Sequence, residues 1–476
     1  MTNFIKLFSI LSILVLVSAC DTNKSKEKKQ TSADNPQNQS VNNESISTKN
    51  EFIKIEKVFS NSYSFTALKN DGSVVTWGWP VHGGDSSDVK DQLSSGVKTI
   101  FSNDVAFAAL KKDGSVVTWG SPFHGGDSSD VKDQLSSGVK TIFSNDVAFA
   151  ALKKDGSVVT WGSPSYGGDS SDVKDQLNSD VKTIFNNVYS FAALKQDGSV
   201  VTWGSPVHGG DSSVVRDQLS SGVKTIFSND VAFAALKKDG SVVTWGSPSY
   251  GGNSSTVKKQ LNSDVKTIFS NDFAFAALKK DGSVVTWGSP SYSGNSSTVK
   301  KQLNSDVKTI FNNVYSFAAL KQDGSVVTWG SPNNGGDSSD VKDQLSSDVN
   351  TIFSTDSAFA ALKKDGSVVT WGSPNNGGDS SDVRDQLSSG VNTIFSTDSA
   401  FAALKKDGSV VTWGSPNNGG DSSDVRDQLS SGVKTIFNNG YSFAALKKDG
   451  SVVTWGSPNN GGDSSSVEED LKPKLK

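Results

Sequence analysis

The chain has 476 residues, a formal net charge of −4, one cysteine and one methionine. A single thiol excludes a disulfide framework and a paired-thiol metal site, so stability has to come from burial. The first 50 residues hold six lysines and four acidic residues, which leaves −6 in the remainder; that mild excess, spread evenly along the repeats, predicts no basic stripe and argues against a nucleic-acid partner.

At the N-terminus, Lys6 precedes an apolar run from Leu7 to Val17. The run is shorter than the roughly 20 residues a bilayer crossing needs and reads as a secretory signal. It closes on Val17, Ser18, Ala19 and Cys20, which resembles the lipobox of bacterial lipoproteins: a branched residue, two small ones and the cysteine that receives the lipid. The resemblance implies removal of residues 1–19, a lipid on Cys20 and anchoring in a bacterial cell envelope. In that family an Asp after the cysteine, here Asp21, favours the inner membrane, facing the periplasm; the outer membrane or cell surface is the alternative. Residues 20–50 lack large apolar side chains and are rich in Asn, Ser, Gln and Lys, which predicts a disordered polar tether. Flexible-chain scaling gives it a reach on the order of tens of ångströms.

Residues 51–476 form one repeat domain, in which a unit of 42 residues recurs ten times, each copy ending on a tryptophan from Trp77 to Trp455. One unit is too small to bury its own apolar residues, so the copies must stack. In the second unit, Val97 to Phe101, Ala106 to Lys111 and Ser115 to Trp119 read as three strands, with Asp113 and Gly114 suited to a tight two-residue hairpin. Phe107, Ala108, Ala109 and Leu110 are continuously apolar, the pattern of a sheet covered on both faces. Asp127 is placed to cap a short rim helix whose Val131 and Leu135 form one apolar stripe. Gly125 to Asp130 also sets two carboxylates near glycines, but without the alternating carboxylates and terminal Glu of a hand-type calcium loop. Capping is the better reading.

Ala109, Leu110, Asp113, Gly114, Val116, Trp119 and Gly120 together resemble the repeat of the regulator of chromosome condensation family and of the related β-lactamase inhibitor protein II-like propellers. The resemblance implies an all-β, β-propeller-like array with a protein-binding role. Departures are plain: Ser121, Pro122 and Gly125 to Ser129 follow Trp-Gly, and Ala106 stands where that family has a His, so nucleotide exchange is not carried over. Neither terminal unit shows a polar cap, which predicts a closed ring of ten three-stranded blades, each with a short rim helix; an open superhelical array is the alternative.

Near-identity among copies marks architecture, so positions that differ are the candidates for function. One variable strip follows Ser-Pro or Trp-Pro and holds His82, Phe123, His124, Tyr166, His208, Tyr250 and Tyr292, then Asn334, Asn376, Asn418 and Asn460. A second precedes the middle strand: Ser62-Tyr63, Asp104-Val105, Val188-Tyr189, Asp272-Phe273, Asp356-Ser357 and Gly440-Tyr441. Loops on one face of a repeat fold commonly form its binding surface. The three histidines lie in equivalent loops of separate sheets, which stack roughly 10 Å apart, so no metal site is predicted. No nucleophile with base and orienter can be assembled. The expectation is therefore a membrane-tethered, non-enzymatic protein-binding scaffold with no cofactor. Glycan binding, with tyrosines stacking on sugars, and a structural envelope role without a discrete ligand are the alternatives.

Overall fold

The computed structural model describes residues 52–475, so the predicted signal, Cys20 and the tether lie outside the described residues. Each unit forms a three-stranded antiparallel sheet, ten in all, here called blades one to ten in chain order. A two-stranded ribbon pairs Phe52–Ile53 with Lys474–Leu475. The fold is all-β, as expected. In blade two the inner strand is Val97–Ser102, the middle strand Ala106–Lys111 and the outer strand Val116–Gly120. Inner strands of neighbouring blades lie against one another: Ser102 Oγ donates to Ser60 O at 2.7 Å.

Side chains alternate across a strand, and the register decides which ones share a face. Ile100 pairs with Ala109, and Phe107 with Trp119. One face of blade two therefore carries Ile100, Phe107, Ala109, Val117 and Trp119; the other carries Phe101, Ala106, Ala108 and Leu110. The faces are complementary in size. Phe149, Ile142 and Trp161 of blade three pack onto the alanine face of blade two. Phe107, Ala106 and Ala108 are all fully buried, so the continuous apolar run does report a sheet covered on both sides. Each buried Phe contributes about 1.5–3 kcal/mol. The stacked Phe107–Trp119 rings, 5.3 Å apart, add about 0.5–1.5 kcal/mol.

Polar bonds set the spacing between blades. Trp119 Nε1 donates to Gly83 O of the preceding unit at 3.1 Å. Gly83 has φ +96°, and a Cβ there would meet the Phe107 ring at 2.5 Å, so the glycine is required. Lys111 Nζ donates to Gln92 O at 2.8 Å, at the end of the preceding rim helix, where a cation is favoured.

Two local expectations need correction. The hairpin is not a two-residue turn: Gly114 N–H returns to Lys111 O at 3.0 Å, and of the Asp-Gly pair only the glycine has positive φ. Asp113 instead accepts from Ser115 N–H and Oγ at 2.9 and 2.7 Å, which fixes the turn from its side chain. The rim segment is a 3-10 turn, Ser129–Val131, followed by one α turn, Lys132–Leu135; after blade three it is a longer 3-10 helix, Ser171–Gln176, and after blades five to seven only the short 3-10 turn forms. Asp127 accepts from Ser129 N–H at 2.9 Å, yet Ser128 holds the N-cap position. Val131 and Leu135 pack inward as anticipated.

Blade ten lies on blade one through the same contacts. Trp77 Nε1 donates to Gly461 O at 3.1 Å, and Ser60 Oγ to Asn438 O at 2.6 Å. Ile55 and Phe65 share a buried cluster with Ala444 and Leu446. The two terminal sheets, which lack polar caps, cover each other.

Candidate functional site at the loop end

The same register places the two variable strips together. In blade two the turn at residues 102–106 and the loop at residues 120–126 lie at one end of the sheet, and the Asp-Gly hairpin lies at the other. Asn103 joins them. Its Nδ2 donates to His124 O at 2.6 Å, while its Oδ1 accepts from Val105 N–H at 3.0 Å and Ala106 N–H at 2.7 Å. Sequence reasoning passed over this buried residue; its signal is an Asn held constant through the first seven units beside a position that varies. In blade eight Thr355 takes the role, with Oγ1 donating to Asn376 O at 2.9 Å and accepting from Ala358 N–H at 3.1 Å. The second loop is stiff as well: Pro122–His124 is one 3-10 turn that starts on proline and ends on left-handed Gly125.

On this frame, rings from the two strips meet. Tyr63 lies 4.7 Å from His82, Tyr189 4.6 Å from His208, and Phe273 4.5 Å from Tyr292. Contacts also cross between blades: Tyr166 with Tyr189, Tyr250 with Phe273, Tyr292 with Tyr315, and Tyr441 with Tyr63, at 5.2 to 5.9 Å. Three clusters result, at blades ten and one, three and four, and five to seven. Blades eight and nine carry Ser357 and Ser399 instead, and Asn418 Nδ2 donates to Ser399 Oγ at 2.7 Å.

Among the predicted residues, Phe123 stands out in solvent, 85% exposed, and joins no ring cluster. Tyr166 and Tyr292 are each 37% exposed. Tyr250, His82, His124, His208, Asn334, Asn376 and Asn418 are half-buried, and Asn460 is buried. His124 and His208 each share a hydrogen bond with a serine three residues earlier, at 2.8 Å through Nδ1. Asn334 makes the equivalent bond to Ser331 Oγ at 3.1 Å, so the Ser–His pair is a way of filling the turn. At His82 the serine is replaced by Trp79, and Nδ1 has no partner; Ser62 Oγ and Asn460 Oδ1, near the same join, are also buried without one. In the sixth unit Ser293 replaces the left-handed glycine, with φ +82°, and its Oγ donates to Tyr315 O at 2.9 Å.

Carboxylates from the second strip surround these rings. Burial, then the charge of Asp104, raises the Tyr63 hydroxyl above the usual range; burial, then Asp356, does the same at Tyr315. Burial, then Asp356, pushes the Asp398 carboxyl well up. Burial lowers His82, His124 and His208, with His124 a second cause at His82. Among the described residues, no group of three or more His, Cys, Asp or Glu gathers as a metal site, and no helix is long and apolar enough to cross a membrane.

No family model and no curated protein matches the chain. Similar solved structures include the ectodomain of the Physcomitrella patens receptor kinase CR4, at 16% identity and TM-score 0.33, covering 56% of this chain and 70% of that one. The computationally designed Ika8 protein shows 15% identity and TM-score 0.29, over 68% and 97%. Yeast RCC1 (Prp20), solved bound to Kap60, shows 17% identity and TM-score 0.32, over 55% and 76%. At these identities and TM-scores the likenesses do not speak to function.

Proposed function

We propose that this chain is a non-enzymatic scaffold, lipid-anchored through Cys20 in a bacterial envelope, that binds a protein partner with the loop end of its aromatic blades. The pairing of the two strips carries the reading: positions about 20 residues apart in sequence bring rings to within 4.7 Å at Tyr63–His82 and 4.5 Å at Phe273–Tyr292. Rings already packed against each other lose little freedom on binding, and tyrosines with neighbouring carboxylates and amides suit a protein surface. Contacts between blades ten and one support a closed ring in solution; small-angle scattering that requires an elongated monomer would sink that part.

The test is capture from cell-envelope and foreign-cell extracts on immobilised residues 20–476, beside a variant with Tyr63, Tyr189, Phe273, Tyr315 and Tyr441 changed to Ser, the residue already present at Ser357 and Ser399. Proteins retained by the parent and lost by the variant support the proposal. Identical capture ends it. Glycan binding is the second reading, favoured by the part-exposed Tyr166 and Tyr292 rings; displacement of captured material by free sugar would shift the assignment to it.

A further inference from the structure

The formal charge of −6 in the repeats conceals a sorting that the strand register creates. At the hairpin end, blade two presents Lys98 at the start of its inner strand, Lys111 at the end of its middle strand and Lys112 in the turn beside Asp113. Lys111 is half-buried and held on Gln92 O, but Lys98 and Lys112 are exposed. The Lys98 position is lysine in seven blades of ten, and so is the Lys112 position. Val97 N–H donates to Gly72 O at 3.0 Å, so the hairpin of one blade touches the inner strand of the next and the lysines follow one another around the array. Every hairpin turn also holds an aspartate, and Asp264 and Asp348 pair with Lys280 and Lys364 at 3.7 and 3.5 Å, but lysines outnumber aspartates at this end; the second variable strip, at the opposite end, contributes aspartates and no lysine.

The chain also joins the array at the lysine end. Asn70, in the hairpin of blade one, donates through Nδ2 to Phe52 O at 2.9 Å and through its backbone N–H to Lys54 O at 3.1 Å. The described chain therefore begins at that end, and, resting on the lipid-anchor part of the proposed function, a lipid on Cys20 would bring that end to the membrane. We infer that the hairpin end rests on an anionic phospholipid bilayer, with the aromatic loop end turned away from it. Lysines close to such a surface each strengthen partitioning by about fivefold, an effect that fades beyond the Debye length. The inference is independent of the partner reading: loss of vesicle binding leaves capture by the loop end untouched, so the two fail separately.

The experiment uses residues 20–476 carrying Cys20→Ser, so that no acyl chain contributes, sedimented with phosphatidylcholine vesicles with and without phosphatidylglycerol. Binding is expected with phosphatidylglycerol alone, weakening as salt rises. Changing Lys112, Lys154, Lys238 and Lys406 to Gln should lower it at least about tenfold. That substitution fits the fold, because the array already has Gln196 and Gln322 there. Changing the exposed rim residues Lys90, Lys132, Lys174 and Lys342 to Gln removes equal charge and should leave most binding in place. Equal binding to both vesicle types, equal loss in the two variants, or displacement from vesicles by a lower concentration of duplex DNA than of free phosphatidylglycerol vesicles would each overturn the inference.

Discussion

Blades four and eight have the same core and different loop ends. Phe191 stacks on Trp203 and Phe359 on Trp371, each at 5.2 Å. At the loop end, blade four holds Asn187, Tyr189 and His208 where blade eight holds Thr355, Ser357 and Asn376. The joint survives the change, since Asn187 Nδ2 reaches His208 O at 2.6 Å and Thr355 Oγ1 reaches Asn376 O at 2.9 Å. Core and joint hold the backbone, and the rings are additions to it. Loop chemistry can therefore vary from blade to blade without altering the stack.

The comparison breaks most directly at the core. Phe191→Ala should cost about 3–5 kcal/mol in thermal or denaturant unfolding, whereas Tyr189→Ser should stay within about 1 kcal/mol; equal losses would make the loop ring part of the core. Gly167 comes next. It has φ +99°, and a Cβ would sit 2.5 Å from the Phe191 ring, so Gly167→Ala should destabilise by about 1–3 kcal/mol. An unchanged melting point would show that the turn can move away from the next blade.

The joint is sharpened by paired substitutions. Asn187→Ala leaves the Tyr189 amide without its acceptor and the His208 carbonyl without its donor and should cost about 1–3 kcal/mol, while Asn187→Thr should cost clearly less. Equal costs would mean that Thr355 is not a substitute for the amide.

Two smaller effects depend on pH. The raised Asp398 carboxyl makes the native state bind its proton more tightly, so its contribution to stability falls as pH rises from the ordinary 3.8 through the raised value. Asp398→Asn should raise the melting temperature at neutral pH and lose that gain in acid. A lower melting temperature at neutral pH would show a bonded carboxylate rather than a penalised one. The histidines work in the other direction: with native values held below the ordinary 6.5, stability is present above 6.5 and declines as pH falls beneath it. Replacing His82, His124 and His208 by Asn, as in the amide blades, should flatten that small slope in a pH series of melts.

Much of one unit was legible because its signals are local. Period, strand positions and two-sided burial follow from Phe107 to Leu110 and from the recurrent tryptophan, since alternation and continuous apolar runs are properties of neighbouring residues. The turn at Gly114 is not legible in the same way: Asp113 acts through its carboxylate on Ser115, and a sequence does not display which backbone angles that bond selects. The candidate site was legible as two variable strips. Their meeting was not, because Asn103 and His124 are 21 residues apart and only the antiparallel register carries both to one end of the sheet.

The sequence by itself determined the repeat, the all-β character and the places where variation is allowed, because burial of a 42-residue unit leaves few alternatives to stacking. Tertiary structure decided which variable residues touch and where the charges lie. An evenly spread −6 became one end where lysines outnumber the turn aspartates and another where the variable strip holds aspartates and no lysine, since each strand sends its two termini to opposite ends of the blade and every blade repeats that direction.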